Sequence, residues 1–365
     1  MNHHRILIVG AGLAGLSLAR ALRQAGLAPQ VIEREPGWGV AGTGMYLPAN
    51  GVRALRTLGL EGAVAARGTR IPRQRLLDHR GHLLADIDLH QLWGSVGPCL
   101  ALPRTELHQI LREGVPVQLG RTIRSLENLD GPVQVDFDDG SGGHYDLVVG
   151  ADGLRSTIRR LAVDPRPPVP VGQHSWRFLA ACPPEVITWT VMLGRGSSFL
   201  TVPVDQGLVY AYADVTADSE PVGDPIGRLR QRFAAPVPEL LRQLDDPNRV
   251  HVAPIEQVAA AGWGRGAVVL VGDAAHGMSP NMAQGAALAF EDALVLATCL
   301  RDAATVTDAV AAFVARRSRR TGWVRTQTHR RDQTRNLPPA LRDLTLRAFG
   351  RRIFQSNYRP LLEPI

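Results

Sequence analysis

The first apolar run of the chain, Ile6 to Val9, breaks into three glycines and then into apolar positions spaced as on a helix, from Leu13 to Ala25. A second apolar run, Pro29 to Glu33, follows after Gly26. This pattern predicts a βαβ unit at the start: a strand over Arg5–Val9, a helix over Leu13–Ala25 and a strand over 29–33. Further along, Leu47–Leu60 predicts a helix that stops at Leu58-Gly59. Arg104–Arg112 predicts another, its start marked by Pro103. Gln74–Leu89 reads as a hairpin turning at Arg80-Gly81, and Val115–Leu119, Val133–Phe137 and His144–Val149 as strands.

The texture changes at the proline-rich stretch Asp164–Pro170. Four alternating runs follow, Ser175–Cys182, Ile187–Leu193, Ser198–Val204 and Leu208–Val215, which predict an antiparallel sheet. Helical segments over 225–245 lead to one more buried strand, Ala267–Val271. A long helical run then begins after Gly285 and continues to about Phe349. No repeat is visible. The order predicts an α/β protein of two units interleaved in sequence. A nucleotide-binding unit takes 1–73, 98–170 and 264–320; a sheet unit takes 74–97 and 171–263; 321–365 form a C-terminal helical segment.

Composition adds limits to this picture. Apolar residues make up 45% and charged residues 21%, as in ordinary globular proteins, and no stretch reaches membrane-span length. Every one of the 41 basic residues is an arginine, which excludes chemistry that needs a side-chain amine, such as Schiff-base catalysis and Walker-type phosphate binding. The net charge of +7 and the arginines between Arg316 and Arg335 raise the question of nucleic acid, but no aromatic residues interleave with them for base stacking. They are read as a solvated helical face. Cys99, Cys182 and Cys299 are scattered without a CxxC pair or a secretory leader, so a cytoplasmic setting without disulfides or a metal site is expected.

The chemistry concentrates at Gly10-Ala11-Gly12-Leu13-Ala14-Gly15, between strand and helix. There Gly10 can make the tight turn, Gly12 can admit a pyrophosphate to the backbone, and Gly15 can let the helix pack closely. The amide groups at Leu13 and Ala14 open the helix toward the phosphates. Glu33 ends the next strand, where a carboxylate can accept hydrogen bonds from ribose hydroxyls, and Arg34 stands beside it. Together these predict a dinucleotide site without separating NAD from FAD.

Downstream, Gly150-Ala151-Asp152-Gly153-Leu154-Arg155-Ser156-Thr157-Ile158-Arg159 and Val271-Gly272-Asp273-Ala274-Ala275-His276 resemble the signatures of the FAD-dependent aromatic hydroxylases, the single-component flavoprotein monooxygenases. Ser279-Pro280-Asn281-Met282-Ala283-Gln284-Gly285-Ala286 is most similar to the salicylate, 3-hydroxybenzoate and urate hydroxylase branch. The likeness covers residues 5 to 300. It implies a Rossmann-like FAD-binding domain of glutathione-reductase type joined to an antiparallel-sheet substrate domain. It also implies that Asp273 reaches the ribitol chain of FAD, that Arg104 contacts the linking chain, and that Asp152 and Gly153 take part in cofactor binding. Gly272, Pro280, Gln284, Gly285 and Ala286 would line the flavin, with Pro280 and His276 counted as catalytic candidates. His276 reads first as a structural histidine that hydrogen-bonds its loop, and second as a general base near the flavin. Ala287 departs from the asparagine that many relatives carry there.

On the substrate side, alternation along Leu208–Asp214 puts Tyr210 and Tyr212 on one sheet face. By the resemblance Tyr210 is a substrate-contacting and catalytic candidate, with Tyr212 and Arg177 as further contacts and His174 and Trp176 as weaker ones. The arginine that accompanies the tyrosine in urate hydroxylases falls on Ser198, which argues against urate. The implied reaction uses NADH or NADPH to reduce FAD, adds O2, and passes one oxygen atom from a flavin C4a-hydroperoxide to an aromatic or N-heterocyclic small molecule. Two alternatives stay open: a flavin-dependent epoxidase or reductase of an alkene or isoprenoid, and a non-catalytic flavin-binding regulator. A monomer and a homodimer are equally compatible with the C-terminal helices.

Overall fold

The computed structural model describes residues 4–39, 43–216, 225–244, 250–259 and 262–365. Its first element is the predicted one. The strand Ile6–Val9, all four residues buried, passes through the glycine turn into the helix Leu13–Gln24, and the chain returns in the parallel strand Gln30–Glu33. These strands sit in a six-stranded sheet ordered Gly264–Arg265, Val268–Leu270, Leu147–Gly150, Ile6–Val9, Gln30–Glu33, Gln118–Leu119. Its central strands are buried on both faces, which is why they read as continuous apolar runs. The helices Leu13–Gln24 and Gly285–Asp302 pack on one another beside this sheet.

A seven-stranded sheet forms the second layer, ordered His251–Gln257, Val169–Ala181, Leu208–Thr216, Ser197–Pro203, Trp189–Leu193, Arg73–Asp78, Leu83–Asp88. Its outer face carries Phe178, Phe199 and Ala211, sealed by the helices Pro225–Arg232 and Val237–Arg242 through Leu229, Phe233 and Leu240. Phe178 and Phe199 are fully buried, edge-to-face at 6.4 Å, each contributing about 1.5–3 kcal/mol by burial. Its inner face turns toward the glycine-turn unit and the two long C-terminal helices, Val306–Thr334 and Pro339–Tyr358.

Several expectations shift. The segment read as one helix over 47–60 starts at Ala49, because Pro48 ends a preceding strand, Gly44–Leu47, that pairs with Leu100–Pro103. The run His144–Val149 splits between two sheets: Gly142–Tyr145 joins a three-stranded sheet with Val133–Phe137 and Ile123–Glu127, and Leu147–Gly150 enters the parallel sheet. The strand expected over 115–119 shrinks to Gln118–Leu119, and Val169-Pro170, expected as linker, begins a strand. His174 and Trp176 are corrected as pocket candidates: they share the outward face with Phe178, and Trp176 is buried beneath the small helices. Among the described residues no helix is long and apolar enough to cross a membrane.

A Cβ on Gly15 would overlap the Gly10 carbonyl oxygen, a backbone atom that cannot move without shifting the turn. Gly15→Ala is therefore expected to destabilise the cofactor-free protein by about 1–3 kcal/mol in chemical denaturation, whereas Gly26→Ala, with no atom near but φ at +81°, costs less.

Candidate active site

The glycine turn has the geometry its residues suggest. Gly10 takes φ +105°, and a Cβ there would lie 2.5 Å from the Ala151 carbonyl oxygen, so the turn and the 150–153 segment touch backbone to backbone. At Gly12, the residue that opens the helix, an added Cβ meets nothing within 4 Å and no side chain caps the helix. The amides at Leu13, Ala14 and Gly15 therefore face open space, as an anion site at a helix N-terminus requires. Glu33 closes one side: its Oε2 accepts the Ala11 N–H at 2.8 Å and its Oε1 the Glu35 N–H at 3.2 Å. Arg34 turns outward and pairs with Glu35. Two residues absent from the sequence reading border this turn. His108 Nε2 lies 2.9 Å from the Ala11 carbonyl, and Trp38 meets the His108 ring edge-on at 5.3 Å. The signal for His108 was its place one turn after Arg104.

The far end of the groove is built by two more turns. Gly272, at φ +60°, packs so tightly that a Cβ would come within 2.8 Å of the Ala14 methyl. Asp273 follows it, exposed, and its carboxylate has no hydrogen-bond or ion-pair partner among the described residues. Its Oδ1 lies 3.9 Å from where a Cβ on Gly285 would stand, so Asp273 and the bare N-terminus of the helix Gly285–Asp302 share one opening. An uncommitted carboxylate beside free amides suits a polyol next to an electron-rich ring. Pro280 is exposed at the start of a short 3-10 turn, and Ala283, at φ +50°, bends the chain into Gln284. The Gln284 side chain is buried and bonded to Asn50, so that it is turned away from the bare end of the helix Gly285–Asp302.

Asp152 behaves differently from Asp273. Its carboxylate accepts from Ser156 Oγ at 2.5 Å and from the Thr157 and Ile158 amides, and burial raises its pKa. Arg159, also buried, donates to the carbonyls of Ala274 and Leu154. Asp152, Ser156 and Arg159 thus shape the segment and tie it to the 272–276 turn, and Asp152 and Gly153 face the groove through backbone.

His276, a catalytic candidate from the sequence, is corrected by its surroundings. It is 1% exposed, with Nε2 2.6 Å from Asp292 Oδ2, and the Trp263 ring lies against it at 5.3 Å. Asp292 also accepts the Gly272 N–H at 2.9 Å and Arg317 Nε at 2.7 Å. The neighbouring Glu291 takes Arg317, Arg320 and Asn50. Burial on its own would raise the Asp292 pKa, but His276, Arg317 and the Gly272 amide outweigh it and hold it at about 2. This cluster joins the Gly272 turn, through Asp292, to the Gln284 turn, through Glu291 and Asn50.

The inner face of the seven-stranded sheet meets the groove at Gly44, where a Cβ would overlap the Tyr210 side chain. Tyr210, Tyr212 and Arg177 share this face, Arg177 standing across from Tyr212 with its guanidinium 5.6 Å from the ring centroid. Arg104, exposed at its helix start, acts electrostatically on Tyr210 and on His251, which pairs with Arg177 across the strands. Burial raises the pKa of both tyrosines, with Arg177 pulling the other way. Their hydroxyls therefore keep their protons at neutral pH, and that of Tyr212 has no hydrogen-bond partner among the described residues. His251 was missed from sequence because its strand was; partial burial, Arg177 and Arg104 lower its pKa, which favours the neutral imidazole.

The family model for an FAD binding domain matches residues 3–321. The chain belongs to the FAD-dependent aromatic hydroxylases. Among other members of this family, it is 36% identical over 332 residues to the aurachin C monooxygenase/isomerase of Stigmatella aurantiaca, covering 86% of this chain and 85% of that one. It is 34% identical over 339 residues to the 2-heptyl-3-hydroxy-4(1H)-quinolone synthase of Pseudomonas aeruginosa, covering 88% and 87%. The structure of Klebsiella pneumoniae HpxO complexed with FAD and uric acid superposes with a TM-score of 0.89 at 26% identity, over 100% of this chain and 98% of that one. The hydroxylase fold and the open groove agree: bare helix ends, an open Gly12 and a free Asp273 fit FAD.

Two carboxylates with opposite surroundings give opposite expectations. Asp273→Ala should lower FAD affinity at least tenfold in flavin-quench titrations and leave cofactor-free stability unchanged, since no contact is lost. Asp292→Asn should lower both, by about 3–5 kcal/mol for stability. Because Asp292 is depressed from 3.8 to about 2 in the fold, its contribution is present above pH 4 and is lost as pH falls toward 2. Acid titration of the variant should lack that component.

Proposed function

We propose that this hydroxylase acts on a fused N-heteroaromatic substrate that carries an apolar chain, bound between the inner sheet face and the Met278–Gly285 loop. The carrying observation concerns buried polar atoms. Eleven buried side-chain atoms among the described residues lack a hydrogen-bond partner; six of them, on Gln74, Gln173, Arg177, Trp189, Tyr212 and Arg335, lie on the inner face or on the helix against it. Such atoms are costly unless a ligand or water meets them, about 1–3 kcal/mol each. Between them run Leu76, Val191 and Leu200, half-buried on the same face and packed against the apolar cluster to which the C-terminal helices contribute Val324, Phe354 and Tyr358. A ligand with polar ring atoms and an alkyl tail satisfies both sets. Two relatives support the class: one is a 2-heptyl-3-hydroxy-4(1H)-quinolone synthase and another an aurachin C monooxygenase/isomerase.

In this reading the Leu13–Gly15 amides would hold the phosphates of FAD, Glu33 its ribose and Asp273 its ribitol. Reduced by NADH or NADPH, it supplies the activation of dioxygen for transfer of one oxygen atom to the substrate. The chain binds, orients and keeps out water. The Pro280–Ala286 backbone presents positive helix-end potential to the ring, and Tyr210 and Tyr212 donate hydrogen bonds to a substrate oxygen. Arg177 adds positive charge that favours an anionic substrate oxygen, and with it an electron-rich ring.

The division into a Rossmann-like cofactor domain (1–73, 98–170, 264–320), a substrate domain (74–97, 171–263) and a helical segment (321–365) belongs to the same proposal. It is supported by the separate membership of the six- and seven-stranded sheets. A cytoplasmic site of action is supported by three free cysteines.

FAD-loaded protein should oxidise NAD(P)H faster when a 2-alkyl-4-quinolone is added than when simple phenols are, and loss of the alkyl chain should raise KM. No acceleration by any N-heteroaromatic in the panel would refute the proposal. Tyr212→Phe should raise the KM for the quinolone by up to about tenfold with FAD content unchanged, while the cofactor-free protein becomes equally or more stable because an unpartnered buried hydroxyl is gone.

A further inference from the structure

At the sheet end remote from Tyr210, a cavity of about 600 Å³ opens between the 194–197 hairpin turn, the helix Pro225–Arg232 and the end of the helix Val306–Thr334. Its size is that of a small-molecule pocket. His79, Arg195, Arg232 and Arg335 line it, and no carboxylate among the described residues does. Arg335 is paired with Asp214 at 2.5 Å, but the guanidinium groups of Arg195 and Arg232 have no partner among the described residues. Two unpaired guanidinium groups, those of Arg195 and Arg232, thus line one cavity, and an anion there would meet positive charge that the described residues do not neutralise.

The walls are fixed. Arg342, buried, donates to the carbonyls of Gly194 at 2.5 Å and Leu193 at 3.1 Å, and Arg335 donates to Gly196 at 3.3 Å. On the opposite wall the Ala234 N–H donates to the His79 carbonyl at 2.9 Å, which holds the end of the Arg232 helix against the hairpin of His79. The planar forks that these walls carry match a phosphate, which accepts paired N–H bonds, better than a point cation would. Arg335 also links this cavity to the inner face, since its partner Asp214 lies two residues beyond Tyr212 on one strand and faces the same way.

We propose that this cavity is a binding site for the phosphates of an organic phosphate ester. If the flavin-hydroxylase reading holds, the chain must receive a pyridine dinucleotide, and among the described residues no glycine-rich run besides Gly10–Gly15 leads from a strand into a helix as such a site would need. The reductant is then one source of the phosphate, and a phosphorylated substrate is the other.

The test uses FAD-loaded protein and inorganic pyrophosphate in calorimetry, which is independent of turnover. Wild type should bind pyrophosphate in a salt-sensitive way, and the double variant Arg195→Gln, Arg232→Gln should bind at least tenfold more weakly with its flavin spectrum intact. Arg232→Lys should retain part of the affinity. A parallel rise of about tenfold in the KM for NADH or NADPH, with pyrophosphate competing, identifies the reductant as the source. Weakened pyrophosphate binding with unchanged KM identifies another phosphate ester at the same site. Absence of pyrophosphate binding in wild type, or equal binding by the double variant, overturns the proposal.

Discussion

The groove depends on the buried carboxylate of Asp292. It is fully enclosed and holds His276, Arg317 and the Gly272 amide at once. Charges taken from water at this depth persist only when each oxygen is matched, and breaking one partner leaves the others unpaired. The same helix turn carries Glu291, which reaches Asn50 and through it Gln284. Two loops far apart in sequence are in this way referred to one rigid helix. Asp273 and the Gly285 amide end come to face one opening because the residues just before them are anchored to neighbouring carboxylates.

What the sequence made legible is what local chemistry decides. The Gly10–Gly15 turn could be read because each glycine answers a need within a few residues, and the four runs from 175 to 215 because alternation marks a sheet with two different faces. Gly44–Leu47 went unseen, being four residues long with only its two ends buried, and His251–Gln257 because Pro254 interrupts its short run on an edge strand. The choice between functional and structural histidine at 276 could not be made from its neighbours in sequence. The residue that decides it, Asp292, is 16 positions away and joined only by folding. Asp152 and Asp273 look alike as turn aspartates, yet one is consumed by its own turn and the other is free. Only the direction of each side chain separates them.

Burial governs the substrate side too. Tyr210 and Tyr212 are held as neutral donors by the apolar sheet around them, and Arg177 supplies positive charge. Gln74 and Trp189 add an acceptor and a donor on neighbouring strands of the same face, neither of them visible as a motif. The chemistry of the family resides in its cofactor, so the chain's own contribution is shape, exclusion of water and these few polar atoms.

The most direct test is a crystal structure of the FAD-loaded protein soaked with a 2-alkyl-4-quinolone. The account predicts FAD ribitol at Asp273, the ring between the Pro280–Ala286 backbone and Tyr210, and the quinolone on the inner face with its oxygen at the tyrosine hydroxyls and its chain along Leu76, Val191 and Leu200. A quinolone bound elsewhere, or a cofactor that leaves Asp273 without contact, would contradict it.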